Sequence, residues 1–289
     1  MLPLQGSRPL GEFFELIGST DLFPDSPPVS GDAARLYRRW AFESAALDLA
    51  LRQAGRSFAD VIGRPSKPLT FVVSRRLGDE DPAGALDAIL AKYPRSRFKL
   101  DPTESWSAEV VEQLSRHDRV DVVDLKGHYK DTPVDLTPDA DLYKRVAEAF
   151  PTAWIEDPAF TDETRPALEP FKDRFTWDAP LHSVADIDAL ETPPHAINIK
   201  PSRFGPVETL FAVYELCEER GIEPYAGGQG ELGPGRGQIQ YLASVFHPDA
   251  SNDTAPKAYN AAELGDGLPE PPRELAIADR GFRLDEPAG

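Results

Sequence analysis

One cysteine in 289 residues leaves no partner within the chain for a disulfide and no thiolate set for a cysteine-based zinc site. That cysteine, Cys217, falls on the apolar face of a helical stretch, where a buried thiol is expected rather than a nucleophile. Positive charge is scarce: 31 Lys and Arg stand against 49 Asp and Glu, a net of −18, so no basic footprint is available to neutralise nucleic-acid phosphates. No apolar run approaches the roughly 18 residues that a bilayer-spanning helix needs. Met1 to Arg8 lacks both the basic region and the long apolar region of a secretory signal, so the expected location is cytoplasmic, with no membrane partner.

Strand-like and helix-like stretches alternate along most of the chain. After a Pro-, Gly- and Ser-rich start, the spacing of Leu36, Trp40, Leu47 and Leu51 predicts a helix from Asp32 to a stop at Gly55, and Phe58 to Ile62 adds a short one. Leu69–Val73 reads as a first strand, followed by a helix over 83–92, and Arg97–Asp101 as a second, followed by a helix capped by Ser107. Later strands close at Asp124, Glu156, Asp178 and Lys200, a seventh enters at Pro224, and the stretch from Ala250 to Thr254 is the only candidate for an eighth. Thr137-Pro138 reads as a cap and first helical residue before the Leu142, Val146, Phe150 stripe. Strand then helix, about eight times over, predicts an α/β fold of the (β/α)8 TIM-barrel type.

Three strand ends in a row deliver an acid: Asp124, Glu156 and Asp178. Any one such residue could simply cap the next helix. Three in phase at a barrel mouth disfavour one another's charge unless a cation sits among them, and oxygen ligands of this kind suit Mg²⁺. The next strand ends instead in Lys200, after an apolar run that favours the barrel interior over a surface position. Alternation along the second strand puts Arg97, Lys99 and Asp101 on one face, where Lys99 could equally form a plain ion pair with Asp101. Lys126 and His128 follow Asp124 closely enough to reach a substrate, but as loop residues they read more readily as solvated. Asp101 stands as an alternative to Asp124 for the first metal position.

With those residues in place, the chain resembles the enolase superfamily, in particular the mandelate racemase and muconate lactonizing enzyme group. Arg38 to Leu51 resembles the helix that leads into that barrel, Ile155-Glu156-Asp157-Pro158 its fourth-strand acid signature, Asn198-Ile199-Lys200-Pro201 its sixth-strand lysine, and Gly227 to Gly233 its seventh-strand loop. The resemblance implies Mg²⁺ held by Asp124, Glu156 and Asp178, bases at Lys99 and Lys200, and substrate contacts from Arg97 and Glu231. It divides the chain into a remnant capping segment at 1–66, a barrel at 67–262 and a strap or tail at 263–289. Most of the family's capping sheet has no counterpart here, which leaves an open mouth, one covered by a second copy in a homo-oligomer, or an incomplete pocket in a fragment of a longer protein.

The implied reaction is Mg²⁺-dependent removal of a proton α to a carboxylate through an enediolate, on a small carboxylate substrate. Racemases and epimerases, cycloisomerases and o-succinylbenzoate synthase-like lyases share that step. The seventh-strand loop has no histidine, which points to the branch that uses two lysines. A catalytically silent barrel that binds a metal or a partner is the alternative, and a metal-dependent sugar isomerase a third, one that needs more acid or histidine ligands. The glycines at 227, 228, 230, 233 and 235 with Arg236 also suggest a phosphate cradle, on spacing alone.

Overall fold

The computed structural model describes residues 2, 4–28, 31–130, 132 and 136–285; Met1 and Pro3 of the start and residues 286–289 of the expected tail lie outside them. Seven parallel strands form one curled sheet in chain order: β1 (Val73–Arg75), β2 (Phe98–Leu100), β3 (Val120–Asp124), β4 (Trp154–Glu156), β5 (Phe175–Trp177), β6 (Ala196–Ile199) and β7 (Glu223–Ala226). This is the α/β barrel expected from the alternating pattern, with seven strands among the described residues rather than eight.

Asn252 and Asp253 take the place of the eighth strand. Asn252 makes a parallel bridge with Phe71, its carbonyl accepts from Val72 N–H at 2.8 Å, and Asp253 N–H donates to the Ala226 carbonyl at 2.7 Å. The Asn252 side chain completes the seam, accepting from Ala226 N–H at 2.8 Å and donating to the Thr70 carbonyl at 2.9 Å. The first strand sits later than its β-branched composition predicts. Leu69 bridges Arg273 and Phe71 bridges Asn252, so Leu69–Val73 serves mainly the seam, and the ladder with β2 begins at Val73.

Helices cover the outside and divide the packing in two. On β1 to β4 lie α4 (Pro82–Lys92), α5 (Ala108–Ser115) and α6 (Ala140–Ala149), through Leu86, Val111, Leu114 and Val146. After the short helices α7 (Thr164–Leu168), α8 (Val184–Asp188) and α9 (Pro201–Phe204), α10 (Val207–Arg220) and α11 (Pro234–Phe246) lie on β5 to β7, through Leu210, Val213 and Leu242. Cys217 is buried in that second cluster, as its helical face predicts. Ser107 caps α5 as expected. α6 starts later than Thr137-Pro138 suggests, because the Asp139 carboxylate takes the free N–H groups of Asp141 and Leu142; a charged acceptor outcompetes a hydroxyl at that position.

Before β1, the described residues form α1 (Leu10–Ser19), α2 (Ala33–Gln53) and α3 (Phe58–Ile62), and no strand. Residues 273–285 form a strap over the N-terminal helices. Phe282 is buried against Trp40 and Phe58, and the Asp48 carboxylate of α2 accepts from Phe282 N–H at 2.8 Å and from Arg283 Nε at 2.9 Å. No described helix is long and apolar enough to cross a membrane.

Candidate metal and proton-transfer site

Register brings the acids together. Asp124 and Glu156 are partners across the β3–β4 ladder, both end their strands, and both are fully buried. Asp157 follows with a φ of +48°, a backbone turn that L-residues adopt only when their surroundings hold them there. Asp124, Glu156 and Asp157 each offer an oxygen within 4.8 Å of the others. Asp178 is buried beside them, and the Asp157 carboxylate ties the two strand ends by accepting from Asp178 N–H at 2.8 Å and Ala179 N–H at 2.9 Å.

Amines already face these acids. Lys99 Nζ lies 3.0 Å from Asp124 and 3.7 Å from Asp253, and also donates to Glu156. Lys126 donates to Asp124 and lies 3.4 Å from Asp101. Lys200 Nζ donates to Asp178 at 2.7 Å, joined on that carboxylate by Arg203 at 2.7 Å and the Tyr129 hydroxyl at 2.9 Å. Tyr225 donates to the other Glu156 oxygen at 2.5 Å while accepting from Thr176 at 3.0 Å. Gly227 lets the β7 end pass close by: a Cβ there would lie 2.4 Å from Asn198 Oδ1 and 2.8 Å from Lys200 Cε.

Four cations (Lys99, Lys126, Lys200, Arg203) therefore face six acids (Asp101, Asp124, Glu156, Asp157, Asp178, Asp253). The imbalance shows in the ionisation of the acids. Burial, with Asp124, Asp178 and Asp157 adding repulsion, pushes Glu156 well above its ordinary range despite Lys99. Burial and then Asp178 and Asp124 push Asp157 up to about 7. Burial acts to raise Asp124 too, but Lys99 and Lys126 hold it below the usual carboxylate range. Lys99 is fully buried, yet Asp124, Glu156 and Asp253 keep its ammonium favoured.

This donor set fits a hard divalent cation. Buried carboxylate oxygens converge, positive charge falls short of negative, and both amide atoms of Asn198, two residues before Lys200, are buried without a hydrogen-bond partner, so polar capacity remains for ligands.

The residues expected from the sequence divide into two groups. Asp124, Glu156, Asp178, Lys99 and Lys200 come together at the mouth, and Asp101 joins the rim through Lys126. Arg97 does not come with them. It pairs with Asp121 at the starts of β2 and β3, Nε to Oδ1 at 2.8 Å, at the other end of the barrel from the acids. Glu231 stands at the rim, accepting from Ser202 Oγ at 2.5 Å and from Gln229 N–H at 2.6 Å. Lys126 is not a solvated loop residue: a φ of +54° turns its amine in onto Asp124. His128 packs its ring on Trp177 at 5.6 Å. Asp157, Tyr129, Arg203, Tyr225 and Asp253 are additions from the structure. Asp157 has a local signal as the second acid of Glu156-Asp157-Pro158, Arg203 lies in the turn after the sixth-strand lysine, and Asp253 falls in the Ala250 to Thr254 stretch.

Comparison with known proteins agrees with this architecture. The family profile described as Domain of unknown function (DUF8230) C-terminal domain matches residues 65–261, and the matching N-terminal domain profile covers residues 1–61. An o-succinylbenzoate synthase from Geobacillus stearothermophilus is 26% identical over 229 residues, 76% of this chain but 59% of that protein, so the chain spans well under two thirds of that relative's length. Among solved structures, an enolase superfamily member from Listeria innocua superposes with a TM-score of 0.66 at 19% identity, covering 99% of this chain and 73% of that one. A dipeptide epimerase from Methylococcus capsulatus, solved with a Mg ion, gives 0.62 at 21% identity, covering 85% and 70%. The fold is that of the enolase superfamily, as the strand-end motifs imply.

Proposed function

This chain belongs to the DUF8230 family and folds as an enolase-superfamily barrel, and from that premise we propose that it removes a proton α to the carboxylate of a small substrate with the help of Mg²⁺. One observation carries the reading: buried Asp124 and Glu156 side by side, with the Lys200 amine reaching the adjoining acid Asp178 at 2.7 Å. Asp124 and Glu156 would hold the metal, with Asp157 or Asp178 as third ligand. When bound, Mg²⁺ supplies positive charge where negative charge develops on the substrate carboxylate.

The protein's own groups then have separable tasks. Lys200 takes the proton. Asp178 keeps two donors, Arg203 and Tyr129, when the amine turns to substrate, so its charge is not stranded. Lys99 stands on the β2 side as an ammonium and returns a proton to the opposite face, a division of labour compatible with epimerisation or with an isomerase or lyase outcome. Tyr225 fixes one Glu156 oxygen and leaves the other toward Lys99.

A panel of N-acylated amino acids and dipeptides in deuterated water, followed by NMR, tests the proposal. At least one should lose its α-proton signal in a Mg²⁺-dependent way, and the loss should vanish in Lys200→Ala. Exchange at full rate in that variant contradicts it.

A second reading has a specific observation in its favour, since Lys99 already sits between Asp124 and Glu156 where a metal would. In that case the barrel is catalytically silent and closed by its own ammonium groups. A melting temperature that does not respond to Mg²⁺ favours this reading, and a saturable rise favours the enzyme.

A further inference from the structure

Beside the mouth, between the loop after β7 and the closing segment, lies a cavity of about 230 Å³ lined by Ser74, Gly228, Arg236, Asp253, Lys257 and Asn260 among others. Its walls carry two cations that the proton-transfer scheme does not use. Arg236 is nine-tenths buried at 9% exposure. Among the described residues its hydrogen bonding is limited to the Ala255 carbonyl, and its Nε is buried without a partner. Lys257 donates to the Gly230 carbonyl at 3.0 Å. Neither has a carboxylate within ion-pair distance among the described residues, in a chain with 49 acids against 31 bases.

The nearby acids Glu231 and Asp253 act on Arg236 from a distance without pairing with it. Glu231 is held by Ser202 and Gln229, and Asp253 faces Lys99 at 3.7 Å. Burial of an unpaired guanidinium is costly unless something satisfies it. Gly228 shapes the wall: a Cβ there would lie 3.0 Å from Arg236 Nη1 and 2.8 Å from Glu231 Oε2. Its neighbour Gly227 touches Lys200 in the same way, so one Gly-Gly step joins this cavity to the reacting amine.

We propose that the cavity is a subsite for an oxyanion, the carboxylate or phosphate end of a substrate whose reacting carbon lies at Lys200. The substrate then carries two anionic groups, one at the acidic mouth and one between Arg236 and Lys257. Arg supplies directional donors to such a group and Lys a mobile charge. The assignment rests on the proton-transfer reading for the identity of the ligand as substrate, while the anion site itself can be measured separately.

The test is calorimetric titration of the full chain, with chelator present, using inorganic phosphate in one arm and malonate in the other, on wild type, Arg236→Gln and Lys257→Ala. One anion should bind saturably at one site per chain. Each substitution should weaken binding by about tenfold or more, the loss expected for one charge-assisted hydrogen bond. Preference for phosphate or malonate identifies the kind of oxyanion. Absence of saturable binding of either anion to wild type, or unchanged affinity in Lys257→Ala, overturns the subsite. If Arg236→Gln does not fold, Lys257→Ala, whose side chain is only half-buried, decides alone. Because no turnover or metal is involved, anion binding without α-proton exchange retains the subsite and removes the reaction, and the converse retains the reaction and removes the subsite.

Discussion

Beside the starts of β2 and β3, Arg97 holds Asp121 with its side chain 32% exposed; two residues further along, Lys99 at 2% holds Asp124, the last residue of β3, at 0%. Each pair joins a base of the second strand stretch to an aspartate of β3, and about 6–7 Å of strand separates the arginine and lysine positions. Solvent screens the first pair, which needs nothing further. The second lies among more acids than it can neutralise, and that excess charge is what the proposed metal ion would offset at the carboxyl end of the barrel.

The largest effect expected from breaking the carboxyl-end group is on chemistry. Lys200→Ala should lower α-proton exchange by about 10²–10⁴, the usual contribution of a positioned base, with cooperative unfolding retained because Arg203 and Tyr129 still hold Asp178. Next is stability. Lys99→Met leaves Asp124 and Glu156 without their shared ammonium and should cost about 3–5 kcal/mol in urea unfolding, part of which added Mg²⁺ should restore.

His247 provides a buried polar group away from both ion pairs, where α11 turns into the closing segment. Burial pushes its imidazole down to about 4, against the hydrogen bond to Asn252. The folded pKa lies below the ordinary 6.5, so the unfolded chain binds the extra proton first. Stability from this group is complete above about pH 6.5 and is lost as pH falls toward 4, by on the order of 3 kcal/mol. A His247→Gln variant should flatten that part of the stability curve. The smallest effect belongs to the strand starts. Arg97→Ala should cost about 0–1 kcal/mol and leave exchange unchanged, and a loss of exchange comparable to that of Lys200→Ala would erase the distinction between the two ends.

Strand ends were legible because a β-branched run closed by an acid or lysine is a local signal: β3 spans Val120–Asp124 as expected, and β4, β5 and β6 stop within a residue of Glu156, Asp178 and Lys200. Long-range partners left no such trace. The Tyr129 hydroxyl meets Asp178 from 49 residues away, and Tyr225 meets Glu156 across 69; neither position has a neighbour pattern that distinguishes it from a core tyrosine. Lys126 was missed because its inward turn depends on a positive φ, which the sequence Asp124-Leu125-Lys126 does not require. Alternation and the likeness to a second-strand basic pair both place Arg97 with Lys99, yet alternation gives the face of a strand and not the height along the barrel axis. The strap was readable as a C-terminal element, but its anchoring by Phe282 and Arg283 on α2 depends on Trp40 and Asp48, more than 230 residues earlier.

The central claim is that the carboxylates at the strand ends gather around a divalent ion. Soaking crystals of the full chain with Mn²⁺ and measuring anomalous scattering addresses it directly. A single strong peak is expected, bonded to Asp124 and Glu156 with a third acid from Asp157 or Asp178, and with Lys99 displaced from between them. A map without a peak there, with the Lys99 ammonium still bridging Asp124 and Glu156, would contradict it.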